Sequence, residues 1–272
     1  MSRIGLISRE GNAAAESARD EAAAWLSAHG CAPVVISRDS PLDSLDVVIA
    51  FGGDGTLLGA AHAIARAGLD IPVLGINLGH LGFLTEVSRG EMVEALQAVH
   101  DGRTRREARL LLCGKVERGG QVIAERLALN DIVVTRGALS RMIEVDVTVD
   151  EQAVTHVKAD GVIVATATGS TAYNLSAGGP ILLPSVDAMV LTPIAPHALS
   201  NRPVVLPATA TIVLRPVIEP QEDIVATFDG QFGQPLHPGD AIVITRSPRV
   251  VSLLRITGRS HFDMLREKLR WG

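Results

Sequence analysis

Five consecutive residues, Gly52-Gly53-Asp54-Gly55-Thr56, combine backbone freedom with a single carboxylate. Glycines let the chain turn sharply and approach a ligand closely. A helix that begins here offers free N–H groups suited to a phosphate. No Gly-Lys-Ser/Thr follows, so this is not the Walker pattern. Asp54 is the unusual member, a carboxylate where an anion would bind. It is suited to accept a proton from a substrate hydroxyl, or to hold a metal ion shared with phosphates. Capping the helix or closing a local turn explains it equally well.

A second stretch, 161–173, runs from the apolar Val162-Ile163-Val164 into small residues and the only tyrosine, Tyr173. Hydroxyls at Thr166, Thr168, Ser170 and Thr171 are candidate donors to phosphate or ribose oxygens, and Gly169 permits close approach. The competing reading is a buried turn whose hydroxyls bond their own backbone. Asn77-Leu78-Gly79-His80-Leu81-Gly82-Phe83 follows a strand end, where ligands collect in open α/β sheets. Asn130-Asp131 offers an amide and a carboxylate to sugar hydroxyls or an adenine edge, or simply makes a turn. Arg103, Arg105, Arg106 and Arg109 form a basic cluster that would meet phosphate or stay solvated. His62, His80, His100, His156, His197, His237 and His261 are isolated and show no metal-ligand spacing. No Gly-x-Ser-x-Gly elbow supports Ser/His/Asp hydrolysis.

The elements that must carry these residues change character along the chain. Apolar runs at 4–7, 33–36, 46–51 and 71–76 read as strands, and the third is apolar enough to be buried on both faces. Between them, a helix capped by Asn12 ends before Gly30, with Ala18, Ala22, Trp25 and Leu26 on one stripe. Further helices are expected at 56–67 and 91–100. This alternation implies a parallel sheet covered by helices, a Rossmann-like α/β domain over 1–101. From residue 102 the pattern is β-rich. Gly119-Gly120 separates two strands as in a hairpin. Ile143, Val145, Val147 and Val149 alternate with polar residues. Short strands follow at 204–206, 210–214, 241–245 and 250–256. A largely antiparallel, sandwich-like domain over 102–259 results. A closing helix within 260–272, with Phe262, Leu265 and Leu269 on one face, is free to pack back on the first domain.

Composition narrows the function. The 272 residues are 47% apolar and only 3% aromatic, which disfavours binding of single strands on stacking platforms. With 25 Lys+Arg against 30 Asp+Glu the net charge is -5, unlike a general nucleic-acid binder. Cys31 and Cys113 make neither a disulfide framework nor a zinc site. No long apolar run reads as a membrane span and no apolar leader follows Met1. The expectation is a soluble cytoplasmic protein that binds neither membrane nor nucleic acid.

Taken in order, the motifs resemble the NAD kinase family along nearly the whole chain. The match covers 52–56, 77–85, Leu129-Asn130-Asp131, 160–181, 191–197 and Leu265-Arg266-Glu267-Lys268-Leu269. The glycine motif is shared with lipid kinases and phosphofructokinases; the block 160–181 is the specific part. Ala167 stands where the family usually has proline, with every hydroxyl and glycine retained.

The resemblance implies transfer of the γ-phosphoryl group of ATP, or of inorganic polyphosphate in some members, to the 2′-hydroxyl of the adenosine ribose of NAD. A divalent ion, Mg²⁺ or similar, would take part; its ligands are not evident. Asp54 would take the hydroxyl proton, with Gly55 presenting its backbone beside it and Gly52, Gly53 and Thr56 forming the phosphate loop. Asn130 and Asp131 would contact the dinucleotide. Thr171, Ala172, Tyr173, Asn174, Leu175 and Ser176 would form the adenine-side loop. Arg141, Lys158, Asp160, Ala165 and Gln231 would line the site, with Asn77 and Phe83 in support. The family's habit implies a homodimer or homotetramer. A lipid kinase of the diacylglycerol or sphingosine type and a non-catalytic NAD(P) sensor are the alternatives. Phe51, Phe83, Tyr173, Phe228 and Phe232 all adjoin these motifs; their positions leave open a dinucleotide cleft lined by a few rings, with ordinary core as the competing reading for some of them, Phe51 especially.

Overall fold

The structure, a computed structural model, describes residues 2–37, 39–79, 82–137, 142–198, 200–219, 222–256, 258 and 260–271. In chain order the elements are β1 (Arg3–Ser8), α1 (Ala13–Ala28), β2 (Ala32–Val35), β3 (Val47–Phe51), α2 (Asp54–Ala67), β4 (Val73–Asn77), β5 (Val87–Ser88), α3 (Met92–His100), β6 (Thr104–Arg118), β7 (Gln121–Ala128) and β8 (Asp131–Arg136). They continue with β9 (Ile143–Val149), β10 (Gln152–Ala159), β11 (Gly161–Thr166), α4 (Tyr173–Ser176), β12 (Ala188–Ile194), β13 (Val204–Pro207), β14 (Ile212–Val217), β15 (Ile224–Phe228), β16 (Phe232–Leu236), β17 (Ala241–Ile256) and α5 (His261–Leu269). The chain forms two compact units, 1–109 with 250–272, and 110–249.

The first unit is built on a parallel sheet. β2, β1, β3 and β4 lie side by side, and the end of β17 joins β4 in parallel at Leu253 and Val73. β3 and β4 are in register from Val48 opposite Val73 to Phe51 opposite Ile76, so their carboxyl ends stand together. These strands are apolar because helices cover them. Ile4, Leu6, Ile49, Phe51, Leu74 and Ile76 pack with Ala18, Ala22 and Leu26 of α1 and Leu96 of α3. Asn12 caps α1 as expected: its side chain accepts the Ala15 amide at 3.0 Å. Ala15 joins the buried stripe, while Trp25 stays half-buried.

The second unit is antiparallel. Six strands run in the order β13-β12-β11-β8-β15-β16. A second group pairs β10 with β9, β9 with β14, and β14 with β17. Alternation delivers Val145, Val147, Ile212 and Leu214 from this group, and Ile132, Val134, Val162 and Val164 from the six strands, to one apolar core. β6 and β7 form the expected hairpin, with Gly119 at φ 56° and Gly120 at φ 80° in its turn.

Three details differ from the sequence reading. α2 begins at Asp54, not at Thr56. β17 runs unbroken from Ala241 to Ile256 through Pro248, where two strands were expected. The residues around Pro248 are mostly exposed, and exposed strand positions tolerate a missing N–H. On α5 the buried residues are Met264 and Leu265, whereas Phe262 is 53% exposed. Ser260 caps this helix reciprocally with Asp263.

Candidate active site

Asp54 is delivered by the join between β3 and α2. Gly52 holds φ 150°, and a β-carbon there would overlap the Thr56 hydroxyl, so only glycine makes this turn. Gly53 and Gly55 are exposed, and a β-carbon on either would meet nothing in the chain. Gly53 occupies the N-cap without any side chain to satisfy the helix start. The opening of α2 is thus exposed at both glycines, at the helix end whose dipole favours an anionic group.

The Asp54 carboxylate neither caps its own helix nor closes a local turn, which corrects those two readings. It reaches 29 to 31 residues along the chain. Oδ1 accepts the Leu84 amide at 3.1 Å, the Thr85 amide at 3.0 Å and the Thr85 hydroxyl at 2.8 Å. Oδ2 accepts the Phe83 amide at 2.9 Å. Two carboxylate oxygens offer about four acceptor positions between them, so Oδ1 is saturated and Oδ2 keeps room for one more donor.

The partners come from the end of β4, the neighbour of β3. Asn77 closes that strand and is buried; its Nδ2 donates to the Thr85 hydroxyl oxygen at 2.9 Å and its Oδ1 accepts the Gly79 amide at 2.8 Å. The Gly82 amide donates to the Thr85 carbonyl at 3.1 Å, which folds 82–85 into a tight turn. A β-carbon on Gly82 would overlap the Asp54 carboxylate. Phe83 is half-buried, with Lys268 Nζ 5.8 Å from its ring centroid. His80 and Leu81 of this motif lie outside the described residues.

In the second unit a separate constellation gathers around Asn130 and Asp131. Asp229 accepts the amides of Leu129 at 2.7 Å, Asn130 at 2.7 Å and Asp131 at 2.9 Å. Asp229 sits at φ 51° and Gly230 at φ 62° in the β15–β16 turn, the form an Asp-Gly pair adopts readily. Asp229 was not among the candidates; its Asp-Gly signature marks the turn but not the partner about a hundred residues away. A β-carbon on Gly169 would overlap the Asn130 backbone. The Thr166 amide donates to the Asn130 carbonyl at 2.8 Å, and the Thr166 hydroxyl donates to the Leu129 carbonyl at 2.6 Å. Burial, and then the Asp229 charge, push the Asp131 carboxyl up to about 7.

The hydroxyls of the second motif are largely engaged within the chain, as in the competing reading. Ser170 donates to the Ala167 carbonyl at 2.7 Å and Thr171 to the Thr168 carbonyl at 3.2 Å. Asn174 is fully buried. Its amide group donates to the carbonyls of Ser170 and Pro180, and it accepts the Thr192 hydroxyl at 2.6 Å. Its side chain therefore shapes the 169–182 loop and offers no surface to a ligand. Ala165 is buried with Val133 and Ile163, so its side chain lines no surface. Tyr173 and Ser176 are exposed, and Thr171, Ala172, Leu175 and Gln231 are half-buried. Lys158 donates to Glu144 at 2.8 Å on the exposed edge of β10, and Asp160 is exposed beyond it. Arg141 lies outside the described residues.

The arginine cluster is divided: Arg103, Arg105 and Arg106 are exposed, whereas Arg109 is buried. Arg103 pairs with Asp101 at 2.9 Å, and Arg106 lies 3.6 Å from Asp70. Arg109 is 2% exposed and pairs with Glu107 at 3.2 Å. Of the five rings that adjoin the motifs, Phe51 and Phe228 are core residues, while Phe83, Tyr173 and Phe232 reach the surface.

Residues 38–104 match the family model of the ATP-NAD kinase N-terminal domain, and residues 129–256 that of the ATP-NAD kinase C-terminal domain. The chain is 43% identical over 281 residues to the NAD kinase of Solibacter usitatus, covering 98% of this chain and 97% of the relative. It is 49% identical over 227 residues to the NAD kinase of Koribacter versatilis, covering 84% and 78%. Among solved structures, an NAD kinase from Archaeoglobus fulgidus in complex with ATP superposes with TM-score 0.79 at 27% identity, covering 98% of each chain. Yeast NADH kinase complexed with NADH shares the fold with TM-score 0.88 at 24% identity, covering 99% of this chain and 87% of that one.

Proposed function

The chain belongs to the NAD kinase family, and from that premise we propose how its residues carry out the reaction. The protein is a kinase that uses ATP to phosphorylate NAD. In the proposed step the 2′-oxygen of the adenosine ribose attacks the γ-phosphorus. The bond to the bridging oxygen of ADP breaks, ADP leaves with the electron pair, and the hydroxyl proton passes to Oδ2 of Asp54. The observation that carries this reading is the Asp54 carboxylate, fixed by four hydrogen bonds with Oδ2 left able to accept another. Phosphoryl transfer asks mainly for positioning and charge neutralisation. The accessible start of α2 suits the phosphates.

Asn130 and Asp131 are proposed to hold the dinucleotide, with Tyr173 presenting its ring to the adenine. A carboxyl held near 7 both donates and accepts at neutral pH, which suits a ribose diol. The other residues aligned by resemblance, Lys158, Asp160 and the backbone of 171–176, would line the same pocket. No three His, Cys, Asp or Glu side chains among the described residues group closely enough to hold an ion. The residues do not fit a resident metal cage, so the divalent ion is proposed to arrive with ATP on its phosphate oxygens. Polyphosphate as an alternative donor, a homodimeric or homotetrameric assembly and a cytoplasmic location are proposed from the family resemblance. No helix among the described residues is long and apolar enough to cross a membrane.

The test is turnover. Purified protein with NAD, ATP and Mg²⁺ is expected to form NADP. Binding of NAD without NADP formation, from either ATP or polyphosphate, would support a sensor and overturn the enzyme.

A further inference from the structure

We propose that Thr85 is the positioning residue that aims Asp54, an inference that rests on Asp54 being the proton acceptor. Thr85 is fully buried and gives Asp54 Oδ1 two of its three donors, the amide at 3.0 Å and the hydroxyl at 2.8 Å. The direction of the hydroxyl proton is fixed by a relay. Gly79 donates its amide to Asn77 Oδ1, which turns Asn77 Nδ2 toward Thr85. Asn77 then donates to the Thr85 oxygen at 2.9 Å, so the Thr85 proton points to Asp54. The side-chain rotamer is fixed by packing: a β-carbon on Gly75 would lie 2.6 Å from the Thr85 methyl carbon, so that methyl fills the space over β4. Saturating Oδ1 leaves Oδ2 as the oxygen with acceptor capacity, and it faces the Phe83 amide at 2.9 Å. Thr85 thereby decides which carboxylate oxygen receives the ribose hydroxyl proton and where it stands.

Two substitutions separate positioning from packing. Thr85→Val keeps the methyl and removes the hydroxyl; Thr85→Ser keeps the hydroxyl and removes the methyl. Thr85→Val is expected to lower kcat roughly 10- to 100-fold, the scale of a misplaced reacting group, with KM for NAD and ATP within about threefold. Thr85→Ser is expected to recover most of that loss. In an Asp54→Asn background, Thr85→Val should add no further loss, because the two residues act as one unit. A packing role predicts the opposite order, with Ser worse than Val, and that order would overturn the proposal. Full kcat in Thr85→Val beside an inactive Asp54→Asn would overturn it while leaving the proton-acceptor reading intact. Full kcat in Asp54→Asn would remove that reading and the proposal with it.

Discussion

Gly82 lacks a side chain where the Asp54 carboxylate occupies the space a β-carbon would need. The turn 82–85 is thus wrapped around the carboxylate, with amides from three successive residues directed at it. Gly82→Ala leaves the charge of Asp54 in place but displaces the group. We expect kcat to fall on the order of 100-fold, as for a misplaced catalytic group. We expect a stability loss of about 1–3 kcal/mol from overpacking. Steady-state kinetics with thermal unfolding checks both, and wild-type kcat would show that the carboxylate can move freely.

Asp229 grips the backbone of Leu129, Asn130 and Asp131 from the neighbouring turn. Asp229→Ala leaves three amides without their charged acceptor and puts alanine at positive φ. We expect destabilisation of about 2–4 kcal/mol, since hydrogen bonds to charged groups contribute about 1.5–3 kcal/mol each and do not add fully. KM for NAD should rise roughly tenfold as the loop loosens, with KM for ATP nearly unchanged. Denaturant titration and kinetics with each substrate varied in turn provide the comparison.

How much of this was legible in the sequence depended on separation along the chain. The glycine turn between strand and helix, the Asn12 cap and the Gly119-Gly120 hairpin follow from neighbouring residues, and the structure places them as expected except that α2 starts at Asp54, inside the motif. Asp54 was legible as a chemical group but not as a tethered one, because its donors lie 29 to 31 residues away. Asp229 was hidden for the same reason, its partners being 98 to 100 residues distant. Hydroxyl content alone could not separate a ligand loop from a self-bonded turn. Thr166, Ser170 and Thr171 all found carbonyls within the chain.

The raised carboxyl of Asp131 predicts a pH effect on stability. In an unfolded chain an aspartate loses its proton near pH 4; buried Asp131 keeps it to about 7. Between these values the folded state binds more protons than the unfolded one. This group's contribution to stability therefore falls as pH rises from about 4 to about 7, then levels. Asp131→Asn should flatten that part of the profile. Urea midpoints for both proteins at about pH 5 and about pH 8 test this; parallel profiles would place the Asp131 proton elsewhere.

Tyr173 is 47% exposed at the start of α4, open to a flat partner. If adenine stacks there, Tyr173→Ala should raise KM for NAD roughly 5- to 100-fold, the effect of losing about 1–3 kcal/mol of stacking. Tyr173→Phe, which keeps the ring, should change it little. Equal losses in both would point to the hydroxyl instead of the ring.

The most direct test of the account is the kcat of Asp54→Asn for NADP formation, measured at saturating ATP and NAD together with the affinity for NAD. Asn places its Oδ1 before the Leu84 and Thr85 donors but turns an NH₂ group toward the side where the ribose hydroxyl would release its proton. A kcat loss of at least ~100-fold with NAD affinity largely retained is expected. Near-wild-type turnover in that variant would contradict it and leave Asp54 as a tether for the turn 82–85.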